Sequence, residues 1–373
     1  MHASEKIRGF DGLRAIAALL VVLTHLDIWT IAIGLGVLTP RMLPMLTGTT
    51  GVQIFFILSG FLITLLLVKE HRSTGNIAIG KFMIRRSLRI LPLYCIFCVL
   101  SALMMHYFDH YASLTSLMYV ALYVYNFIPV TEYSPVLGHT WSLAVEEHFY
   151  LIWPFLFGLA FAKRRAVLIA ACCAFVFAAL VSQFFLLKSA LSSQFFVDRW
   201  SFIAGYNIAI GCIGALVVSS DRYRSHAERY LSHPAIGVLG LVLFANSLYL
   251  VSDSWFIQNV FAGYVRAVGA VILVLWIYFN QTHRLVSALE WRPLRYVGKI
   301  SYGLYMWQGF LLATGPGRVS GQQWPPSPLV GAALLVLVVP LSYRFIELPC
   351  LRLKERFGVA RGMPPSALRG API

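Results

Sequence analysis

The chain has 373 residues, of which 59% are apolar and only 12% charged, against roughly a quarter charged in an average soluble domain. That balance excludes an ordinary soluble fold, and so high a hydrophobic content excludes intrinsic disorder. At about 20 residues per crossing, roughly ten membrane spans fit, and the formal net charge of +15 reads as basic loops facing anionic lipid, not as a nucleic-acid surface.

Lys6 and Arg8 precede a first apolar run from Leu13 to Trp29. It resembles a signal peptide, but no small-residue cleavage site follows and more apolar runs do, so it reads as an uncleaved first span. Further runs lie at 51–68, 90–107, 142–162, 166–187, 201–218, 235–251, 259–280, 300–314 and 328–348. The stretch 115–129 is apolar but short. It reads as an interfacial or re-entrant piece, which needs protein around it to satisfy its backbone. The fold class is therefore all-α, a polytopic membrane helical bundle of about ten transmembrane helices.

With the N-terminus inside, most basic residues fall on the cytoplasmic side: Lys69, Arg72, Lys81, Arg85, Arg86 and Arg89 after the second span, Lys163 to Arg165 after the fourth, Arg222, Arg224 and Arg229 after the sixth. Arg284, Arg292, Arg295 and Lys299 follow the eighth, and Arg344 onward the tenth. Arg41, Lys188, Arg199 and Arg318 fall outside, and Arg14 and Arg266 within spans. The bias favours N-in and C-in with an even number of spans. Residues 1–357 form one integral membrane domain, and 358–373, rich in Gly, Pro and Arg, a loose cytoplasmic tail. The six cysteines lie in or beside apolar runs and form no spaced disulfide framework. Cys95-x-x-Cys98 lacks a second ligand pair, as does the His106/His110 pair, so no metal is expected.

Ionisable groups within spans are functional candidates. In the first span Asp11 can pair with Arg14 three residues on. Arg14 and His25 are eleven residues apart, which puts them on one helical face about 16 Å apart along the axis. Arg86 and Arg89 share a face where the third span begins and, with Arg85 beside them, suit a phosphate-gripping fork. In His139-Thr-Trp-Ser142-Leu-Ala-Val-Glu146-Glu147-His-Phe-Tyr150, two adjacent carboxylates enter an apolar helix, and Ser142, Glu146 and Tyr150 recur at i,i+4. A carboxylate placed so can orient a histidine. Gly51 to Ile63 carries small residues that permit close helix approach or a ligand tunnel, and Arg344 to Pro349 suggests a salt-bridged end to the last span.

These blocks, in this order and over nearly the whole chain, resemble the acyltransferase-3 family of integral membrane O-acyltransferases. The resemblance rests on Phe10 to Arg14 with His25, Gly51 to Ile63, Arg86-x-x-Arg89 with Leu91 to Tyr94, Trp141 to Leu143 with Glu146, Glu147, Phe149 and Tyr150, Ile300 to Tyr305, and Arg344 to Pro349. It implies transfer of an acyl group, acetyl first among the candidates, from cytosolic acyl-CoA to a hydroxyl of an extracytoplasmic or lipid-linked glycan, at the inner membrane and among its lipids. It also implies that His25 and Arg14 form an essential pair and that Arg86 and Arg89, with Arg85, hold the donor's phosphates. Glu146 or Glu147 would then orient His25 or balance its charge. The chain departs from the family pattern at Gln53, where an acid is usual, at Gln308, where many members have His, and at Leu348, where many have a basic residue.

No hydrolase-like domain with a serine nucleophile is appended in this sequence, so either direct transfer or delivery of the acyl group to a separate chain is expected, direct transfer being favoured. An acyl-histidine relay across the membrane is a further route that the sequence leaves open. The rival from another class is a transporter or flippase, which midplane charges and broken helices suit equally well. No inverted repeat supports it.

Overall fold

A computed structural model describes residues 7–107, 112–161, 165–245, 252–312 and 327–357. Among the described residues the structure is helices and turns, apart from one isolated bridge between Pro129 and Phe195. The principal helices are α1 (Phe10–His25), α2 (Ile28–Gly34), α3 (Gly48–Thr74), α4 (Ile79–Tyr107), α5 (Leu114–Ala121), α6 (Thr140–Phe161), α7 (Arg165–Lys188), α8 (Ser201–Val218), α9 (Asp221–Leu231), α10 (Pro234–Ala245), α11 (Ile257–Phe279), α12 (Arg284–Leu289), α13 (Arg292–Lys299), α14 (Ser301–Leu312), α15 (Pro328–Ser342) and α16 (Leu348–Lys354).

Among the described residues, six helical segments are long and apolar enough to cross a membrane: α3, α4, α7, α8, α11, and the run from Leu329 to Phe357 that includes most of α15 and all of α16. The pair α1 and α2, bent by 68°, makes a seventh if counted as one broken span. Asp27, between them, sits at φ 56, a left-handed turn that redirects the chain. Each of the ten expected spans overlaps a helix, with 162, 246–251 and 313–314 lying outside the described residues, but α1, α6, α10 and α14 are not by themselves long and apolar enough to cross. The stretch 115–129 forms no spanning helix: α5 has eight residues and gives way to a turn and the short helix Tyr125–Phe127. Two of its hydroxyls bond to backbone carbonyls of the loop that follows. The Tyr125 hydroxyl donates to the Ser134 carbonyl at 2.9 Å, and Ser116 Oγ donates to the Glu132 carbonyl.

The axis of the bundle is α3. Its apolar window is 78% buried, while that of α7 is only 17% buried and faces outward. Helices of equal hydropathy therefore differ in what surrounds them, and glycines mark where α3 is approached most closely. A Cβ at Gly60 of α3 would overlap the carbonyl oxygen of Ile208 in α8, and a Cβ at Gly211 of α8 would overlap that of Ile57 in α3. The two glycines thus form a reciprocal crossing in which each backbone rests on the other. Gly51 lets α3 rest in the same way on the Ala17 carbonyl of α1, and Gly298 lets α13 rest on the Asp11 carbonyl. These crossings draw α1, α3 and α13 together and fix where the first turn of α1 points.

Gly211→Leu forces this crossing apart and should destabilise the fold by about 1–3 kcal/mol or more, read as a lower melting temperature of the solubilised protein. Gly80→Leu, where nothing lies within 4 Å of an added Cβ, is the control that should melt like the wild type.

Candidate active site

A cavity of about 290 Å³ opens among α1, α3, α4, α6, α14 and α16. Its wall holds Asp11 and Arg14 from α1, Ser59 from α3, Arg86 and Arg89 from α4, and Ser142, Glu146 and Tyr150 from α6. Ser301, Tyr302 and Tyr305 from α14 and Lys354 from α16 complete its polar part. Apolar side chains such as Val52, Phe55, Leu62 and Leu143 line the remainder. Helical periodicity accounts for the convergence. Arg86 and Arg89 stand at i,i+3 on α4, and Ser142, Glu146 and Tyr150 at i,i+4 on α6, so each set presents one face.

Basic side chains dominate the chamber. Arg14, Lys69, Arg86, Arg89 and Lys354 stand against only Asp11 and Glu146. Glu146 Oε1 accepts from Ser59 Oγ at 2.5 Å, and Ser59 Oγ is 3.1 Å from the Tyr150 hydroxyl. The charges nearest Glu146 are Arg14 and Arg86. The Arg86 guanidinium lies over the Tyr150 ring at 4.9 Å and the Phe82 ring at 5.7 Å, an attraction worth about 0.5–2 kcal/mol per ring. Arg89 is the neighbouring like charge of both Arg14 and Arg86. Five basic side chains therefore face two carboxylates in the chamber, and the remaining positive charge suits an anionic occupant.

Arg85 is placed otherwise than its sequence neighbours suggest. It lines neither this chamber nor the smaller one beside it; its guanidinium donates to Glu70 Oε2 at 3.1 Å and to the Phe357 carbonyl at 3.0 Å. The buried Glu70 carboxylate draws Arg85 away from the chamber that Arg86 lines. Glu146 is also placed otherwise. It sits beside Arg14, whereas His25 is about three turns away at the far end of α1, so Glu146 balances the arginines and is not the partner that orients His25. Glu147 stands behind the chamber wall, with Glu146 and Arg86 as its nearest charges and an Oε1 that has no hydrogen-bond partner.

His25 is half-buried and does not line the chamber. Its titratable neighbour is His139, which is 6% exposed and whose ring faces the backbone of Val136 and Met306. A Cβ at Gly309 would overlap the His139 ring, so this glycine makes room for it. Tyr305 separates the two regions. Its hydroxyl donates to the His139 carbonyl at 2.9 Å and lies 2.6 Å from Ser142 Oγ, its ring meets the His139 ring edge to face at 5.7 Å, and its other side faces the chamber. The path from the arginines toward the imidazoles thus ends at Tyr305 and Ser142. Tyr305 lies within the Ile300 to Tyr305 block, but nothing in that block predicts its contact with His139.

The expected pairing of Arg344 with Glu347 is replaced by another. The guanidinium of Arg344 lies over the Phe345 ring at 5.9 Å, while the charge facing Glu347 is Arg89. Of the pair His106 and His110, the second lies outside the described residues. Among the described residues no group of three or more His, Cys, Asp or Glu is placed to hold a metal ion.

A family described as an acyltransferase domain, acyltransferase-3, matches residues 7–347. The chain belongs to the acyltransferase-3 family. It is 29% identical over 374 residues to YrhL of Bacillus subtilis, provisionally named a peptidoglycan O-acetyltransferase; the match covers 92% of this chain and 54% of that protein. It is 25% identical over 380 residues to the O-acetyltransferase OatA of Staphylococcus aureus, covering 94% of this chain and 58% of OatA. The chain thus spans little more than half the length of these curated relatives. No solved structure matches it. Two of its departures from the acyltransferase-3 pattern now have a setting. Gln53 donates to the Tyr206 hydroxyl at 2.9 Å and to the Gly263 carbonyl at 2.8 Å, bonds that tie α3 to α8 and α11. Gln308 is fully buried, and its amide has no hydrogen-bond partner.

The side chains of Arg85 and Glu70 are 16% and 5% exposed, so Arg85→Ala leaves a buried carboxylate without its cation. Its cost should be about 3 kcal/mol, at the low end for breaking a buried pair, seen as a lower melting temperature. Glu70→Gln in the same chain should restore part of the loss.

Proposed function

We propose that this acyltransferase-3 chain is a membrane O-acyltransferase that moves an acetyl group from cytosolic acetyl-CoA to a hydroxyl of an extracytoplasmic or lipid-linked glycan. The observation that carries the reading is the convergence of Arg14, Arg86 and Arg89 on one chamber with a surplus of positive charge. Acyl-CoA carries several phosphates on its head, and guanidinium forks grip phosphate through paired, charge-assisted hydrogen bonds. The names of YrhL and OatA support acetyl as the group moved, and that of YrhL supports peptidoglycan as the first acceptor class to test.

The orientation follows from the basic loops: N-terminus and C-terminus on the cytoplasmic face of the inner membrane, with the arginine end of the chamber toward the cytosol. The thioester arm would pass from the arginines along the apolar wall of α3 toward Tyr305. There the acceptor oxygen attacks the thioester carbonyl, the C–S bond breaks, the ester C–O bond forms, and the thiol leaves on CoA. His25 accepts the acceptor's hydroxyl proton and returns it to the departing thiolate. Arg14, three turns of α1 from His25, would hold the donor together with Arg86 and Arg89. Tyr305 and Ser142 must move aside for the arm to reach the imidazoles, which makes this hydrogen-bonded pair the gate of the route.

In membranes supplied with labelled acetyl-CoA, His25→Ala and Arg89→Ala should each reduce acetyl transfer to glycan at least 100-fold while the protein still inserts to wild-type levels. Full acetylation by stably inserted His25→Ala would remove His25 from the mechanism. Thioester turnover also separates an enzyme from a carrier, because a flippase would leave the thioester intact.

A further inference from the structure

Beside the arginine chamber lies a second cavity of about 200 Å³ that shares Asp11, Arg14, Arg89 and Tyr302 with it. Its own wall adds Lys299, Tyr343 and Glu347. Glu347 is brought there by a local irregularity. Residues Tyr343–Glu347 form a π-helical turn between α15 and α16, and such turns re-aim side chains within an otherwise regular helix. Gly303 of α14 makes the space, since a Cβ there would come within 2.6 Å of Glu347 Oε1.

Glu347 is only 6% exposed, and its Oε1 has no hydrogen-bond partner. A buried acceptor left without a donor costs about 1–3 kcal/mol, more when charged, so this oxygen is set to receive a donor from whatever enters. The two tyrosines provide flat apolar surface. The Tyr302 hydroxyl donates to the Ile90 carbonyl at 2.7 Å, which fixes its ring in place. A carboxylate aimed at an amino group, aromatic faces beside it and guanidinium groups on the shared wall together make a chemical description of one ligand class. Carboxylates accept from the exocyclic amines of nucleobases, and bases stack on aromatic side chains in preference to aliphatic ones. A small metal cation is disfavoured by the three basic side chains that face the cavity with the two acidic ones.

We propose that the second cavity is a nucleobase subsite. It takes the amino-bearing purine of the acyl donor, with Glu347 accepting from the exocyclic amine, Tyr302 and Tyr343 against the ring, and Arg89 reaching the phosphates that join it to the first chamber. This rests on the reading of acyl-CoA as donor and adds what recognises its far end. Glu347 is then a specificity residue for the donor and not only a counter-charge for Arg89.

The test compares acetyl-CoA with 1,N6-ethenoacetyl-CoA, whose exocyclic amine is blocked, using the full chain in membranes. The wild type should show a KM roughly tenfold higher for the etheno donor, the equivalent of one hydrogen bond to a charged group, with kcat unchanged. Glu347→Ala should raise the KM for acetyl-CoA by a similar factor and no longer distinguish the two donors. Glu347→Gln, which keeps an acceptor oxygen, should recover much of the discrimination. Equal KM values for both donors in the wild type would overturn the subsite while leaving the donor assignment intact, and this comparison needs no variant to fold. A fall in kcat alone in Glu347→Ala would assign Glu347 to positioning Arg89 and overturn the subsite as well. Failure of the wild type to use either thioester, with glycan acetylation intact in cells, would remove acyl-CoA as donor and the subsite with it.

Discussion

Three guanidinium groups, Arg14, Arg86 and Arg89, share one chamber between apolar helices, and the arrangement of the site follows from how that charge is held. Like charges in a medium of low dielectric repel strongly, and desolvation adds to the cost. The chain meets that cost locally. Glu146 stands between Arg14 and Arg86, Ser59 fixes the carboxylate, and the Tyr150 ring lies under the Arg86 guanidinium. Positive charge remains in excess, and a polyanionic donor head would complete it. A ligand that binds only the folded state also stabilises it by mass action, so an anion held there would be coupled to the packing of α1, α4 and α6.

The glycine crossings explain why α1 can take part at all. Gly51 and Gly298 bring α3 and α13 onto the backbone of α1, which sets Asp11 and Arg14 at the chamber wall. His25, three turns on, is carried by the same rigid helix to the other side of Tyr305. A single helix thus links the arginine end to the imidazole end at a fixed spacing, and the Tyr305–Ser142 pair lies between them.

Much of this was legible in the sequence because it is periodic. Apolar runs located the helices, the i,i+3 arginines gave the fork, and Ser142, Glu146 and Tyr150 gave one face of α6. What escaped depends on contacts between segments distant in the chain. Glu70 captures Arg85, a pairing fifteen residues apart across the turn between α3 and α4. Glu146 was expected near His25 because both are unusual in a span, yet depth along the helix puts it with Arg14. Glu347 could not be placed from spacing because a π-helical turn breaks the 3.6-residue period just before it. Tyr305 looks in sequence like another aromatic in an apolar helix, and only the three-dimensional arrangement shows it touching both the chamber and His139.

The central claim is that the arginine chamber is built for the phosphorylated head of CoA. Its most direct test is calorimetric binding of CoA, without an acyl group or acceptor, to the purified chain in nanodiscs, for the wild type and for Arg86→Gln/Arg89→Gln. The account predicts one CoA per chain and an affinity at least 100-fold weaker in the double variant. Equal affinity in the two proteins would contradict it.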